Sequence, residues 1–318
     1  MMNLLEAHDI ESYFDIRGGL FGRIQSYVKA VNGVSLNVGE GEIVSVVGES
    51  GCGKSTLGLA LLGLQKIRSG SLSFQGESIN VNDFKSWQGL RKDLQIIFQD
   101  PYTSLNPRLT IYESLSEPLL LHGICKKSEL KDKVGYLLEQ VELKPEMMDR
   151  FPHSFSGGQR QRICIARVLG IEPKLIVCDE IVSALDVSVQ AQILELLLKL
   201  KESHNLSLLF ISHDLAVVRA ISRRIYVMYL GRVVEEGPSE MLFHQPKHPY
   251  TKALLDSIPT LDRSRRPVLL EGEVPSPTNL PTGCAFASRC KYKSEKCGEL
   301  PQRSGLDDQS YYCHNPLN

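Results

Sequence analysis

The chain has 318 residues, 42% hydrophobic and 23% charged, a length that buries a sizeable core without disulfide staples. Lys plus Arg (36) against Asp plus Glu (37) leaves a net charge of −1, so there is no global basic footprint for nucleic acid or acidic lipid. No apolar run approaches the roughly 18 residues of a membrane span, and the first ten residues lack a signal peptide's basic start and apolar centre.

From about Val28 to Gly237, short apolar runs alternate with helical periodicity, the pattern of an α/β domain. Ile43–Val47 reads as a buried strand and runs into Gly48-Glu49-Ser50-Gly51-Cys52-Gly53-Lys54-Ser55, which fits G-x-x-x-x-G-K-[ST]. Thr56 to Leu62 leaves that loop as a helix. Glycines let backbone N–H groups turn inward around phosphate oxygens, and the helix N-terminus adds partial positive charge. In this arrangement Lys54 meets the β- and γ-phosphates and Ser55 ligates Mg²⁺. The plainer alternative is a Gly-rich turn with a solvated lysine.

Further along, Leu130, Val134, Leu137, Leu138 and Val141 form one helical stripe with Ser128 as the expected N-cap. Ser156-Gly157-Gly158-Gln159, before the helical run 163–167, is a second anion site: a Ser cap, two glycines and a helix N-terminus. Leu175-Ile176-Val177-Cys178 is a strand that ends on Asp179 and Glu180, where ligands bind in parallel sheets. Asp179 suits the metal's outer shell, and Glu180 suits polarising an attacking water. Val189, Ile193, Leu196, Leu197 and Leu200 repeat the stripe after Ser188, and 206–211 reads as another buried strand.

After Gln245 seven prolines fall within 36 residues, which argues against a continuing α/β sheet and places a boundary near 245. Cys284, Cys290, Cys297 and Cys313 follow without a C-x-x-C pair. Four thiolates at such spacing suit a [4Fe–4S] cluster; zinc and free thiols are the alternatives.

Two phosphate-binding elements that cannot share one phosphate suggest a dimer that sandwiches nucleotide, and at this point the sequence resembles the ABC-type ATPases. Ser156-Gly157-Gly158-Gln159 is similar to that family's signature motif, with Phe155 in place of the commoner Leu. The resemblance makes Gln99 the Q-loop glutamine that senses Mg²⁺ and water, Asp186 part of the D-loop, and His213 the switch histidine at the γ-phosphate. It also implies an aromatic stacked on adenine, Tyr13 being preferred over Tyr27. The chain departs from the family at Ile181, where a proline usually follows the catalytic glutamate; its absence is expected to loosen the Glu180 loop.

The runs 98–108, 182–190 and 248–255 narrow the resemblance to the dipeptide/oligopeptide/nickel branch of bacterial and archaeal importers, over nearly the whole chain. The implied fold is an α/β P-loop NTPase (RecA-like) core over 1–245, with a helical subdomain at about 100–165 and an antiparallel β part, followed by a small Pro/Cys-rich domain over 246–318. The implied function is hydrolysis of ATP with Mg²⁺ to energise peptide import, with nickel or oligosaccharide as other cargoes. A soluble, non-transport ABC ATPase is the alternative of another class. The implied partners are a homologous ATPase subunit, two membrane permease subunits and an extracytoplasmic substrate-binding protein, with no nucleic acid. The implied location is peripheral, on the cytoplasmic face of the cell membrane. The resemblance also adds weight to a [4Fe–4S] cluster on Cys284, Cys290, Cys297 and Cys313.

Overall fold

A computed structural model describes residues 3–18, 23–258, 272–306 and 309–318, which leaves Pro259 and Pro267 of the proline-rich segment outside the described residues. The chain forms two compact units, one of Met1–Gly39, Ile43–Phe84 and Phe210–Asn318, the other of Glu40–Glu42 and Lys85–Leu209.

In the first unit, Arg23–Gly39, Asn3–Gly18, Ser69–Phe74 and Glu77–Ile79 lie side by side in that order as an antiparallel sheet. Its long second strand buries Val34, Leu36 and Val38 while Ser35 and Asn37 between them stay half-exposed, the period-two pattern of a sheet with one wet face. A second ladder holds the strand before the glycine-rich loop. Ile43–Val47 pairs in parallel with Arg224–Tyr229, which pairs antiparallel with Arg232–Pro238. All five residues of Ile43–Val47 are buried, as expected of a parallel strand covered on both sides.

The chain crosses residue 245 without leaving this unit. Gln309–Tyr311 adds a strand to Arg232–Pro238, with Glu235 opposite Tyr311. The Glu235 carboxylate is fully buried and accepts hydrogen bonds from the N–H groups of Lys247 (2.7 Å) and His248 (2.9 Å) and from Gln309 Nε2 (2.9 Å). One side chain before the expected boundary thus satisfies three donors beyond it. The helix Pro249–Asp256 starts there, with His248 Nδ1 accepting from the Tyr250 N–H.

In the second unit, Leu94–Ile97 and Leu175–Asp179 pair in parallel, Leu94 opposite Leu175 and Ile97 opposite Cys178. The helices Ile111–Leu121, Leu130–Gln140, Gly157–Leu169 and Val187–His204 belong to the same unit. All five residues of the expected stripe Leu130 to Val141 are buried. Ser128 is not its cap. It lies inside a short 3₁₀ turn, Lys127–Glu129, whose Glu129 carboxylate takes the Lys126 N–H. The last long helix begins one residue before Ser188, with Asp186 at its N-cap, and of its expected stripe Val189 is only half-buried.

Burial pushes the His248 imidazole, 1% exposed, down to about 3 from 6.5. Below the unfolded value the unfolded chain binds a proton that the folded state refuses, so this residue's stability contribution is present above pH 6.5 and lost as pH falls towards 3. We expect it to remove about 2 kcal/mol of unfolding free energy between about pH 7 and pH 5. Urea titrations of wild type and His248→Gln measure this; equal pH slopes in the two proteins would contradict it.

Candidate functional site

The glycine-rich loop leaves Val47 and is pressed against backbone on two sides. A Cβ at Gly48 would lie 2.1 Å from the Met228 carbonyl oxygen, and one at Gly53 would lie 1.9 Å from that of Ala30. Gly53 also sits at φ 105°, where side chains are strained. Lys54 is 4% exposed, and its Nζ donates to the carbonyls of Gly48 (2.8 Å) and Glu49 (3.0 Å). The helix Lys54–Leu61 starts at Gly53 with no side chain capping it and no acid in its first turn. Its N-terminus therefore presents N–H groups and partial positive charge to an anion. Ser50, Gly51 and Ser55 are exposed, Thr56 is half-buried, and Cys52 is buried, which pushes its thiol up.

Tyr13 and Tyr27 lie near each other. Their ring centroids stand 6.4 Å apart, and the Arg68 guanidinium lies 5.1 Å from the first and 4.6 Å from the second. The Tyr13 hydroxyl shares a hydrogen bond of 2.9 Å with the Asn32 side chain. His213, in this same unit, is exposed at the end of the strand Ser207–Ser212, just before Asp214, which caps the helix Leu215–Ile221.

The remaining carboxylate and amide groups lie in the second unit. Asp179 ends its strand at 8% exposure. Glu180 follows at φ 48°, a left-handed conformation that costs a non-glycine residue about 1–2 kcal/mol. Gln99 Nε2 donates to the Glu180 carboxylate (3.1 Å) and to Ser183 Oγ (3.2 Å). Ser183 closes the turn by donating its hydroxyl (2.8 Å) and its N–H (3.1 Å) to the Glu180 carbonyl. Ile181 is 1% exposed, so an apolar anchor and two hydrogen bonds hold the loop that lacks proline.

Ser156 forms a capping box: its Oγ accepts the Gln159 N–H (3.3 Å), and Gln159 Oε1 accepts the Ser156 N–H (3.1 Å). The first turn of Gly157–Leu169 lies against Val187–His204, since a Cβ on Gly158 would come within 2.5 Å of Val189 Cγ1. Asp186 is exposed at the start of that neighbouring helix.

The four C-terminal cysteines are all free thiols in the first unit. Burial pushes the Cys313 thiol up to about 11, with Cys284, Cys290 and Cys297 adding to the effect. Cys284 is likewise raised by burial, with Cys297 and Cys290 contributing. Backbone N–H groups of Tyr292, Ser294 and Asn315 point to the sulfurs of Cys290, Cys297 and Cys313 at 3.4–3.5 Å. Among the described residues no group of three His, Cys, Asp or Glu could hold a metal ion.

Comparison with known proteins decides the family. Residues 31–183 match the family model of the ABC transporter, and residues 234–297 match that of the oligopeptide/dipeptide transporter C-terminal region. The oligopeptide transport ATP-binding protein OppF of Salmonella typhimurium is 48% identical over 303 residues, covering 93% of this chain and 91% of that protein. The chain belongs to the oligopeptide/dipeptide branch of the ABC transporter ATP-binding proteins.

The glutathione import ATP-binding protein GsiA of Pectobacterium atrosepticum is 50% identical over 277 residues; the match covers 86% of this chain but spans only 44% of GsiA. A solved dimeric ATP-binding cassette in a post-hydrolysis state, bound to ADP and Pi, superposes with a TM-score of 0.64 at 30% identity, covering 74% of this chain and 98% of its own. The α/β P-loop fold read from the sequence is therefore the fold of this ABC ATPase. Cys284, Cys290 and Cys297 fall inside the matched C-terminal region, and Cys313 lies beyond it.

Sequence reasoning missed the residues that surround the motifs. Arg68 carries no signal outside the fold. Arg289, which pairs with Glu49, was hidden beside a cysteine that drew attention for its metal chemistry.

The glycines of the loop separate steric need from conformational need. Gly53→Ala should reduce ATP affinity at least about 100-fold, because its Cβ has no space beside the Ala30 carbonyl. Gly51, at φ 78° with nothing within 4 Å of a Cβ, should tolerate alanine at about 1–2 kcal/mol of strain. Nucleotide titration of the two variants checks the order; equal losses would mean that the packing around Gly53 yields.

Proposed function

We propose that this chain is the subunit that binds and hydrolyses ATP to drive a peptide importer, from the cytoplasmic face of the cell membrane. The observation that carries the reading is the buried Lys54 above a loop too tightly packed for side chains, joined to a helix with an uncapped N-terminus. Gly48 to Thr56 wrap the triphosphate, and the Lys54 ammonium compensates the β- and γ-phosphate charge. Ser55, Gln99 and Asp179 are the residues that would hold Mg²⁺, which supplies charge neutralisation between phosphates. Glu180 takes the proton of the attacking water, oriented by the Gln99 amide that already holds its carboxylate at 3.1 Å. His213 contacts the γ-phosphate, and Tyr13 lies along the adenine. The relatives named above are ATP-binding proteins of oligopeptide transport and glutathione import, which favours a peptide over nickel or an oligosaccharide as cargo.

Ser156 to Gln159 and Asp186 would complete the nucleotide site of a second, homologous ATPase subunit. Such a helix N-terminus adds hydrogen bonds and positive dipole to phosphates bound elsewhere. For two membrane permeases, fed by an extracytoplasmic binding protein, the second unit offers a cavity of about 320 Å³ lined by Phe98, Leu109, Pro118 and Leu121. Leu121 is 79% exposed and Phe98, beside Gln99, is 42% exposed, an apolar surface suited to a permease's cytoplasmic segment. No helix among the described residues is long and apolar enough to cross a membrane.

We propose Cys284, Cys290, Cys297 and Cys313 as the residues that would hold a [4Fe–4S] cluster. Four cysteines are the ligand number such a cluster requires, and N–H groups on sulfur stabilise bound thiolates. The cluster's chemistry here would be structural cross-linking of the C-terminal segment.

Glu180→Gln should keep ATP binding and lower turnover of the assembled complex by about 10² or more. Turnover within a few-fold of wild type would remove the role of Glu180. Protein purified without oxygen should be brown and contain about four irons and four sulfides per chain. Colourless protein with about one zinc would assign the thiols to a different metal.

A further inference from the structure

Glu49 is the second residue of the phosphate loop, and each of its polar groups is engaged. Its N–H donates to the Tyr250 hydroxyl at 2.9 Å, and its carbonyl accepts from Lys54 Nζ at 3.0 Å. Its carboxylate takes a two-pronged ion pair from Arg289, Nη1 to Oε2 at 2.7 Å and Nη2 to Oε1 at 2.9 Å. The Arg289 side chain is only 4% exposed, so this charge is committed to its partner. It also donates to the Tyr229 hydroxyl at 3.4 Å and stands 5.9 Å from that ring. Tyr229, Tyr250 and Phe286 pack together with ring centroids 4.6–5.4 Å apart. Phe286 lies in the turn that presents Arg289: Ala287 N–H donates to the Cys284 carbonyl and Arg289 N–H to that of Phe286, both at 3.0 Å.

We infer that Arg289 is a positioning residue for nucleotide binding, which braces the phosphate loop from the thiol-bearing segment and neutralises the carboxylate that would otherwise face the incoming triphosphate. This rests on the reading of residues 48–56 as the ATP site. The physical need is twofold. An acid inside a phosphate-binding loop repels the ligand unless a cation covers it, and a loop that must be ordered by the ligand weakens binding by that ordering. A guanidinium meets both needs, since its planar fork fixes the carboxylate's orientation as well as its charge. The groups assigned to the chemistry, Glu180, Gln99 and His213, are not touched by the brace. Its loss should therefore appear in affinity and leave the rate at saturation unaltered.

The test is photolabelling of this chain with 8-azido-ATP in the assembled complex, alongside the ATP dependence of hydrolysis and thermal unfolding. Arg289→Met leaves the Glu49 carboxylate uncovered and should weaken labelling and raise KM by about tenfold or more, with kcat within about twofold. Arg289→Lys keeps the charge but loses the fork, and should fall between. Glu49→Gln removes the repulsion together with the pair, and should lose less than Arg289→Met. The double variant Glu49→Gln with Arg289→Met should bind better than Arg289→Met alone, a rescue that a purely structural staple does not produce. Unchanged labelling and KM in Arg289→Met with a lowered melting temperature would overturn the inference. So would a double variant that binds no better than Arg289→Met. If Arg289→Met does not fold, the comparison of Glu49→Gln with Arg289→Lys decides: a larger loss in Glu49→Gln contradicts charge compensation. Wild-type protein that fails to label at all would instead overturn the assignment of the ATP site.

Discussion

The space around the loop 48–55 limits this protein more than any single contact does. With backbone carbonyls of Met228 and Ala30 where two glycine Cβ atoms would stand, the loop has no alternative but to run as bare backbone. Bare backbone turns its N–H groups to whatever fills the concavity, and only an anion answers that arrangement. The packing exists because Ile43–Val47 lies parallel to Arg224–Tyr229, the strand that carries Met228. Lys54 completes the loop by folding its ammonium over the carbonyls of Gly48 and Glu49. A cation held this way by carbonyl oxygens is already in place when phosphate arrives and needs little rearrangement to change partners.

Much of this was legible in the sequence because the signals are local. The run of Ile and Val before Gly48, the apolar residues before Asp179 and the stripe from Leu130 to Val141 each specify an element through their own periodicity. The fold places all three as buried elements. Caps were less legible. Ser128 has the right chemistry for an N-cap, but the Glu129 carboxylate captures the Lys126 N–H and starts a tighter turn first. The helix Val187–His204 has Asp186 at its N-cap, a start that the periodicity of its stripe does not resolve. Long-range pairs were not legible at all. Arg289 and Glu49 are separated by 240 positions, and no spacing rule links them.

Proline density marks the end of regular alternation, yet composition does not report which surface the irregular chain covers. Here Glu235 collects donors from Lys247, His248 and Gln309, and Gln309–Tyr311 extends the ladder that begins at the phosphate-loop strand. Tyr250 and Phe286 join Tyr229 in an aromatic cluster whose hydroxyls reach Glu49 and Arg289. The C-terminal segment is therefore packed as part of the unit that carries the loop, although its sequence differs in character.

The carboxylate site in the other unit follows a different logic. Glu180 is held at a left-handed backbone angle by a buried Ile181 behind it and by Ser183 bonds to its own carbonyl, so its side-chain direction is set by the backbone. The neutral amide of Gln99 donates to it there and also bonds Ser183 Oγ. An amide orients a carboxylate without cancelling its charge, whereas the guanidinium on Glu49 cancels it. Two glutamates of one chain thus receive opposite treatment. The acid in the phosphate loop is covered by a cation, where a negative charge would oppose binding. The acid assigned to the water is oriented by a neutral amide, where a base must accept a proton.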